Sequence, residues 1–178
     1  MATVMDSVRK RQVIIVLAVF VVVLCADQIS KAFIVAKIPA NSVRYKPHTL
    51  FWITHERNPG LVNGMFRDNP VIPFVAPLLA TGVLLYLFRH LNPAKHFQTV
   101  AFGMVAGGAL GNIADRLRLG SVTDFLQFHF YFLPFNFPWK YYPAFNIADS
   151  CICVGVVLLL VSWNAWTTTE KPDAVNAV

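Results

Sequence analysis

Charge is scarce in this chain. Only 13% of its 178 residues are Asp, Glu, Lys or Arg, 56% are hydrophobic, and the mean hydropathy is +0.55, which excludes an ordinary soluble domain. No run of Lys and Arg is interleaved with stacking aromatics, so the net charge of +6 marks no nucleic-acid surface and instead suits anionic lipid headgroups. Cysteine is sparse too. Cys25, Cys151 and Cys153 fall in or beside apolar runs and read as small hydrophobes rather than as disulfides or metal ligands. His55-Glu56 has no second histidine at helical spacing, and His48, His90, His96 and His129 are scattered, so neither a metal nor a cofactor is expected. The sequence also lacks a Ser-His or Cys-His arrangement suited to nucleophilic proteolysis.

What the chain has in quantity is apolar sequence. A helix needs about 20 predominantly apolar residues to cross a ~30 Å hydrocarbon layer. Four stretches approach that length, about residues 13–36, 71–88, 97–115 and 146–166, leaving 37–70 and 120–145 outside. The expectation is an all-α membrane protein with four transmembrane helices, one integral domain over residues 1–178. Residues 1–12 read as a basic leader, and its Arg9-Lys10-Arg11 cluster places the amino terminus in the cytoplasm, with the carboxyl terminus returned to the same side. A cleaved signal peptide ending at Cys25 fits poorly, because Leu24 stands where a small residue is required and Asp27-Gln28-Ile29-Ser30-Lys31 continues the helical pattern. The second run has no ionisable residue and reads as scaffold, with Pro73 and Pro77 tolerable among packed neighbours. Trp166 closes the fourth run at an interface.

The chemistry concentrates in residues 103–125. Gly103, Gly107 and Gly111 recur every fourth residue, a stripe that lets another helix approach closely. Asp115 continues the stripe, and Asn112, Asp115 and Arg116 share a face. Gly120 is suited to end the helix and turn the chain toward Asp124. Asp27 and Lys31 stand four apart in the favourable order for an ion pair, either anchoring the helix end or supporting a site. Residues 49–54 are rich in strand formers, and a further strand is expected at 126–132, within an aromatic, proline-broken stretch suited to the headgroup level. Asn58-Pro59-Gly60 marks a turn and Asn63-Gly64 another; the Asn58 amide either stabilises its turn or faces a substrate. Asn146 is a natural N-cap, with Asp149 three positions on, where an acid can bond back.

Asp115, Asp124 and Asp149 therefore fall at one membrane face, where ionisable groups are costly and usually functional. Two carboxylates held within a few Å share a proton and can serve as base and acid, enough to hydrolyse a peptide bond through an activated water. The sequence leaves open which two meet. A proton-coupled carrier also holds intramembrane acids, but would place them near mid-span in a repeated architecture. A non-catalytic assembly factor would leave the aspartates as caps and ion pairs.

In order and spacing, Asp27-Gln28-Ile29-Ser30-Lys31, Arg57-Asn58-Pro59-Gly60, Gly107-Gly108-Ala109-Leu110-Gly111-Asn112-Ile113-Ala114-Asp115-Arg116, Gly120-Ser121-Val122-Thr123-Asp124-Phe125 and Phe145-Asn146-Ile147-Ala148-Asp149 resemble the blocks of the bacterial lipoprotein signal peptidase family, signal peptidase II. The resemblance spans nearly the whole chain. It implies an aspartyl endopeptidase of the bacterial inner membrane with its site toward the periplasm, beside a small extramembrane β-cradle. Such an enzyme cleaves the signal peptide of a prolipoprotein just before the diacylglyceryl-modified cysteine. The lipidated prolipoprotein and membrane lipids are the partners expected, and the chain is expected to be a monomer. By the same resemblance Asp124 and Asp149 form the dyad. Asn112, Arg116 and Asn146 position dyad or substrate, and Asp115 is a structural partner of the arginine. Asn58 contacts the substrate backbone, while Asp27 and Lys31 support the site. Leu61-Val62-Asn63-Gly64-Met65-Phe66 departs from the family's small-residue run by its bulk, so the local substrate loop is expected to differ.

Overall fold

The computed structural model describes residues 2–44, 49–61, 64–69, 71–89, 95–135 and 140–164. It contains helices α1 (Ala2–Lys37), α2 (Ile72–Phe88), α3 (His96–Leu119) and α4 (Ile147–Asn164), and strands β1 (Ser42–Arg44), β2 (Phe51–Asn58) and β3 (Val122–Phe128). The strands form one antiparallel sheet in the order β1-β2-β3, so the fold is mostly helical with a small sheet of the kind expected beside the helices. Two helices, α1 from Asp6 and α3, are long and apolar enough to cross a membrane; α2 and α4 are apolar but shorter. The expected turn at Asn63, the 90–94 connection, part of the aromatic stretch (136–139) and the end of the fourth run with Trp166 lie outside the described residues.

Burial is inverted relative to a water-soluble protein. On α1, Ile14 is 65% and Ile29 69% exposed, whereas Asp27 and Asp115 are fully buried and Lys31 is 2% exposed. Apolar surface outside and ions inside is the arrangement of a chain whose surrounding solvent is hydrocarbon.

The expected basic leader is part of α1, which starts at Ala2. Charge does not break the helix here because it pairs locally. Lys10 meets Asp6 at 2.9 Å one turn away, and Arg9 bonds Gln12 at 2.7 Å while its guanidinium lies 4.9 Å from the centre of the Phe88 ring of α2. The glycine stripe of α3 faces α1, and a Cβ on Gly107 would come within 2.8 Å of the Phe20 carbonyl oxygen. Gly108, outside the stripe, does the same for α4, its hypothetical Cβ lying 2.6 Å from the Ala148 carbonyl oxygen. Bare backbone on two faces thus lets α3 pack closely between α1 and α4.

Gly120 caps α3 in the left-handed region (φ 70°), its N–H bonding the Arg116 carbonyl at 2.9 Å. The chain then enters β3 at Val122, four residues earlier than the strand expected at 126–132. Asp124 consequently sits inside a strand whose register to β2 pairs Val122 with Asn58 and Asp124 with Glu56. β2 likewise runs past the expected 49–54 to Asn58. An irregularity between Ile53 and Glu56 breaks the alternation that the sequence pattern needs, and both Thr54 and His55 are buried. His55 Nδ1 lies 2.7 Å from the Ile38 carbonyl oxygen, which fixes the strand to the end of α1. Ile34, Ile38 and Phe125, with Ile53, Leu126 and Ile147 against them, form the apolar cluster joining helices to sheet.

Candidate active site

Two connected polar layers lie where α1, α3, the start of α4 and the sheet converge. In the inner layer the Lys31 ammonium meets Asp27 at 2.8 Å and Asp115 at 3.4 Å, and donates to Asn112 Oδ1 at 2.9 Å. Its three donors are matched, as a buried ammonium requires. Asp27 Oδ1 also accepts the Ala148 N–H at 3.0 Å, and Gln28 Nε2 donates to Asp27 at 3.0 Å and to the Gly111 carbonyl at 3.1 Å. Asp115 Oδ2 accepts the Thr123 backbone N–H at 3.0 Å, so the inner layer holds α4 and β3 in place.

Asp115 does not pair with Arg116. Its cations are Lys31 and the largely exposed Arg118, at 3.4 Å, because consecutive helical residues point about 100° apart whereas i and i+3 share a face. Arg116 instead donates to the Gly60 carbonyl oxygen at 2.7 Å and to its own helix at Asn112 O, 3.4 Å, tying the turn after β2 to α3.

The outer layer contains Asp124 and Asp149, linked by one residue. Asn146 Nδ2 donates to Asp124 Oδ1 at 2.8 Å. The Asn146 N–H donates to Asp149 Oδ2 at 3.1 Å, and the Asp149 N–H donates to Asn146 Oδ1 at 2.9 Å. That reciprocal exchange is a capping box, so Asp149 caps its helix with one oxygen while Asn112 Nδ2 bonds the other at 2.8 Å. Asp124 Oδ2 accepts from Asn58 Nδ2 at 3.1 Å, and Asn58 Oδ1 accepts the Gly60 N–H at 3.0 Å. Asn58 therefore both stabilises its turn and touches the carboxylate.

Of the three candidate aspartates, Asp115 belongs to the inner ion cluster, while Asp124 and Asp149 share Asn146. Burial, with the neighbouring Asp149 charge adding to it, pushes the Asp124 carboxyl from 3.8 up to about 7, against the amide bonds from Asn58 and Asn146 and the more distant Lys31 charge. A half-protonated acid at neutral pH held beside a second carboxylate is equipped for proton transfer. Asn58 and Asp124 line an open cavity of about 570 Å³ on the sheet side, together with Glu56, Arg57 and Arg67. Among the described residues no group of three or more His, Cys, Asp or Glu could hold a metal ion. Sequence reasoning missed the bridging by Gln28 and the contact of Gly108 with α4, although both residues lie within quoted blocks.

Exposed apolar helices around a buried polar centre, with two acids linked by one asparagine and one of them lining an open cleft, define a membrane protein with an enzyme-like site. A solved bacterial membrane enzyme shares the fold at a TM-score of 0.74 and 28% identity, covering 90% of this chain and 94% of that one. The model of the signal peptidase (SPase) II family matches residues 19–164, and the chain belongs to that family. The lipoprotein signal peptidase of Syntrophotalea carbinolica is 35% identical over 153 residues, 84% of this chain and 91% of that protein. That of Geobacter sulfurreducens is 43% identical over 117 residues, 63% of this chain and 68% of that protein.

Proposed function

We propose that the protein cleaves lipoprotein signal peptides by aspartic chemistry, with Asp124 and Asp149 as the catalytic dyad. Family membership makes the chain a peptidase acting on lipoprotein signal peptides; the acids and their roles are the proposal. The observation that carries it is the Asn146 bridge, bonded to both carboxyl groups. Asp124, whose carboxyl is pushed up to about 7, supplies the proton that the pair uses. Asp124 holds that proton, Asp149 accepts one from water as the water attacks the scissile carbonyl, and Asp124 then protonates the leaving nitrogen.

Asn112 and Asn146 orient the acids, and Asn58 and Arg116 hold the turn beside which the substrate backbone lies. Asp27, Lys31 and Asp115 form the support beneath. The four helices each span the inner membrane in a single monomeric domain. The sheet and dyad face the periplasm beside the lipid anchor of the prolipoprotein, and both termini are cytoplasmic, in keeping with Arg9, Lys10 and Arg11 at the start of α1. Purified protein in detergent should cut a lipidated precursor just before the modified cysteine. Asp149→Asn, nearly isosteric, should accumulate normally yet retain under about 1% of that activity; substantial residual cleavage would remove Asp149 from the dyad.

A further inference from the structure

The cleft beside Asp124 is lined by charges the dyad does not use. Glu56 and Arg57 lie on β2 just before Asn58, and Arg67 lies on the segment after Gly64. The strand register sets Glu56 across from Asp124 and Arg57 across from Thr123, whose hydroxyl accepts one Arg57 N–H at 3.4 Å. Among the described residues, none of the three charges forms an ion pair. Two guanidinium groups and the Glu56 carboxylate thus border, together with Asp124, a cavity of about 570 Å³ with their charges left for whatever enters it. Glu56, nearest Asp124 by register, opposes an acid close to the cut; the two guanidinium groups are the cations that an acidic side chain entering the cleft can meet. Guanidinium favours carboxylate because its planar N–H donors match the paired oxygens.

Resting on the reading above, the apolar signal segment stays among the helices and the cleft on the sheet side receives the chain that follows the scissile bond. We infer that Arg57 and Arg67 form a specificity rim that favours precursors carrying an acidic side chain a few residues beyond the lipidated cysteine.

The test uses the full chain in detergent with lipidated precursors that differ only in carrying Asp, Ser or Lys at the second and third residues after the cysteine. The expected order of kcat/KM is Asp, Ser, Lys, with Asp over Lys by roughly five-fold at low salt, expressed in KM. Added salt should shrink the ratio, because exposed charges are screened. Arg67→Glu should reverse the order, and Arg57→Ala or Arg67→Ala should flatten it. Equal rates for the three precursors, or an unchanged order in Arg67→Glu, overturns the inference. So does an Arg67→Glu defect that is equal for all precursors and present only in nanodiscs containing phosphatidylglycerol, which would assign the rim to a lipid phosphate. Failure of the dyad is read separately, from the Ser precursor and Asp124→Asn.

Discussion

Asp124→Asn should change stability in opposite directions at low and high pH. An acid whose folded-state value is raised contributes stability that is fully present below its unfolded value and is lost as pH climbs through the folded one. For Asp124 the window runs from 3.8 to about 7. At about 1.4 kcal/mol per pH unit the penalty above that window has a ceiling of about 4 kcal/mol. The substitution removes this penalty but introduces a donor. Asn58 and Asn146 both point amide N–H groups at Asp124, and an asparagine offers only one acceptor oxygen, so one buried donor goes unmet at a cost of about 1–3 kcal/mol. The variant should therefore be about 1–3 kcal/mol more stable than wild type at pH 8, and less stable by a similar amount at pH 4. Apparent melting midpoints in detergent at one heating rate should cross, by roughly 2–4 °C per kcal/mol. Cleavage should fall below about 1% of wild type at both pH values. A midpoint difference of the same sign and size at pH 4 and pH 8 would refute the raised Asp124 value and the proton-sharing built on it.

Other outcomes follow from the same geometry. The pH profile of kcat/KM should decline as pH rises through about 7, where Asp124 loses its proton; a rate still flat at pH 9 would take the acid role from Asp124. Lys31→Met leaves Asp27 and Asp115 buried without their shared ammonium and should cost about 3–5 kcal/mol, seen as lost yield of monodisperse protein; normal yield and melting would contradict that cluster. Gly108→Ala drives a methyl toward the Ala148 carbonyl, and should destabilise by about 1–3 kcal/mol while lowering kcat through displaced Asn146 and Asp149. An unchanged midpoint would show that α4 can yield.

The helices were legible because they rest on local signals: long apolar runs, the Gly103-Gly107-Gly111 stripe and the Gly120 stop. The Asp27–Lys31 pair and the Asn146–Asp149 cap were legible for the same reason, since each partner lies within one helical turn. What escaped was set by distant pairing. The start of β3 depends on its register against a strand 66 residues away in sequence, where Asn58 meets Asp124, and no periodicity in residues 120–132 encodes that. The partner of Asp115 depends on the level at which α1 crosses α3, which brings Lys31 beside it in place of the adjacent Arg116. The aromatic content of residues 125–132 pulled the expected strand toward its bulky half.

The buried ammonium of Lys31 has a consequence for how the protein is made. Its neutralising partners come from two helices, Asp27 from its own and Asp115 from one synthesised about 80 residues later. At roughly 5–20 residues per second, the first helix exists for several seconds or more with Lys31 paired to Asp27 alone. Arrival of the third helix adds Asp115 and the Asn112 acceptor, so the polar centre is complete only once these two helices meet.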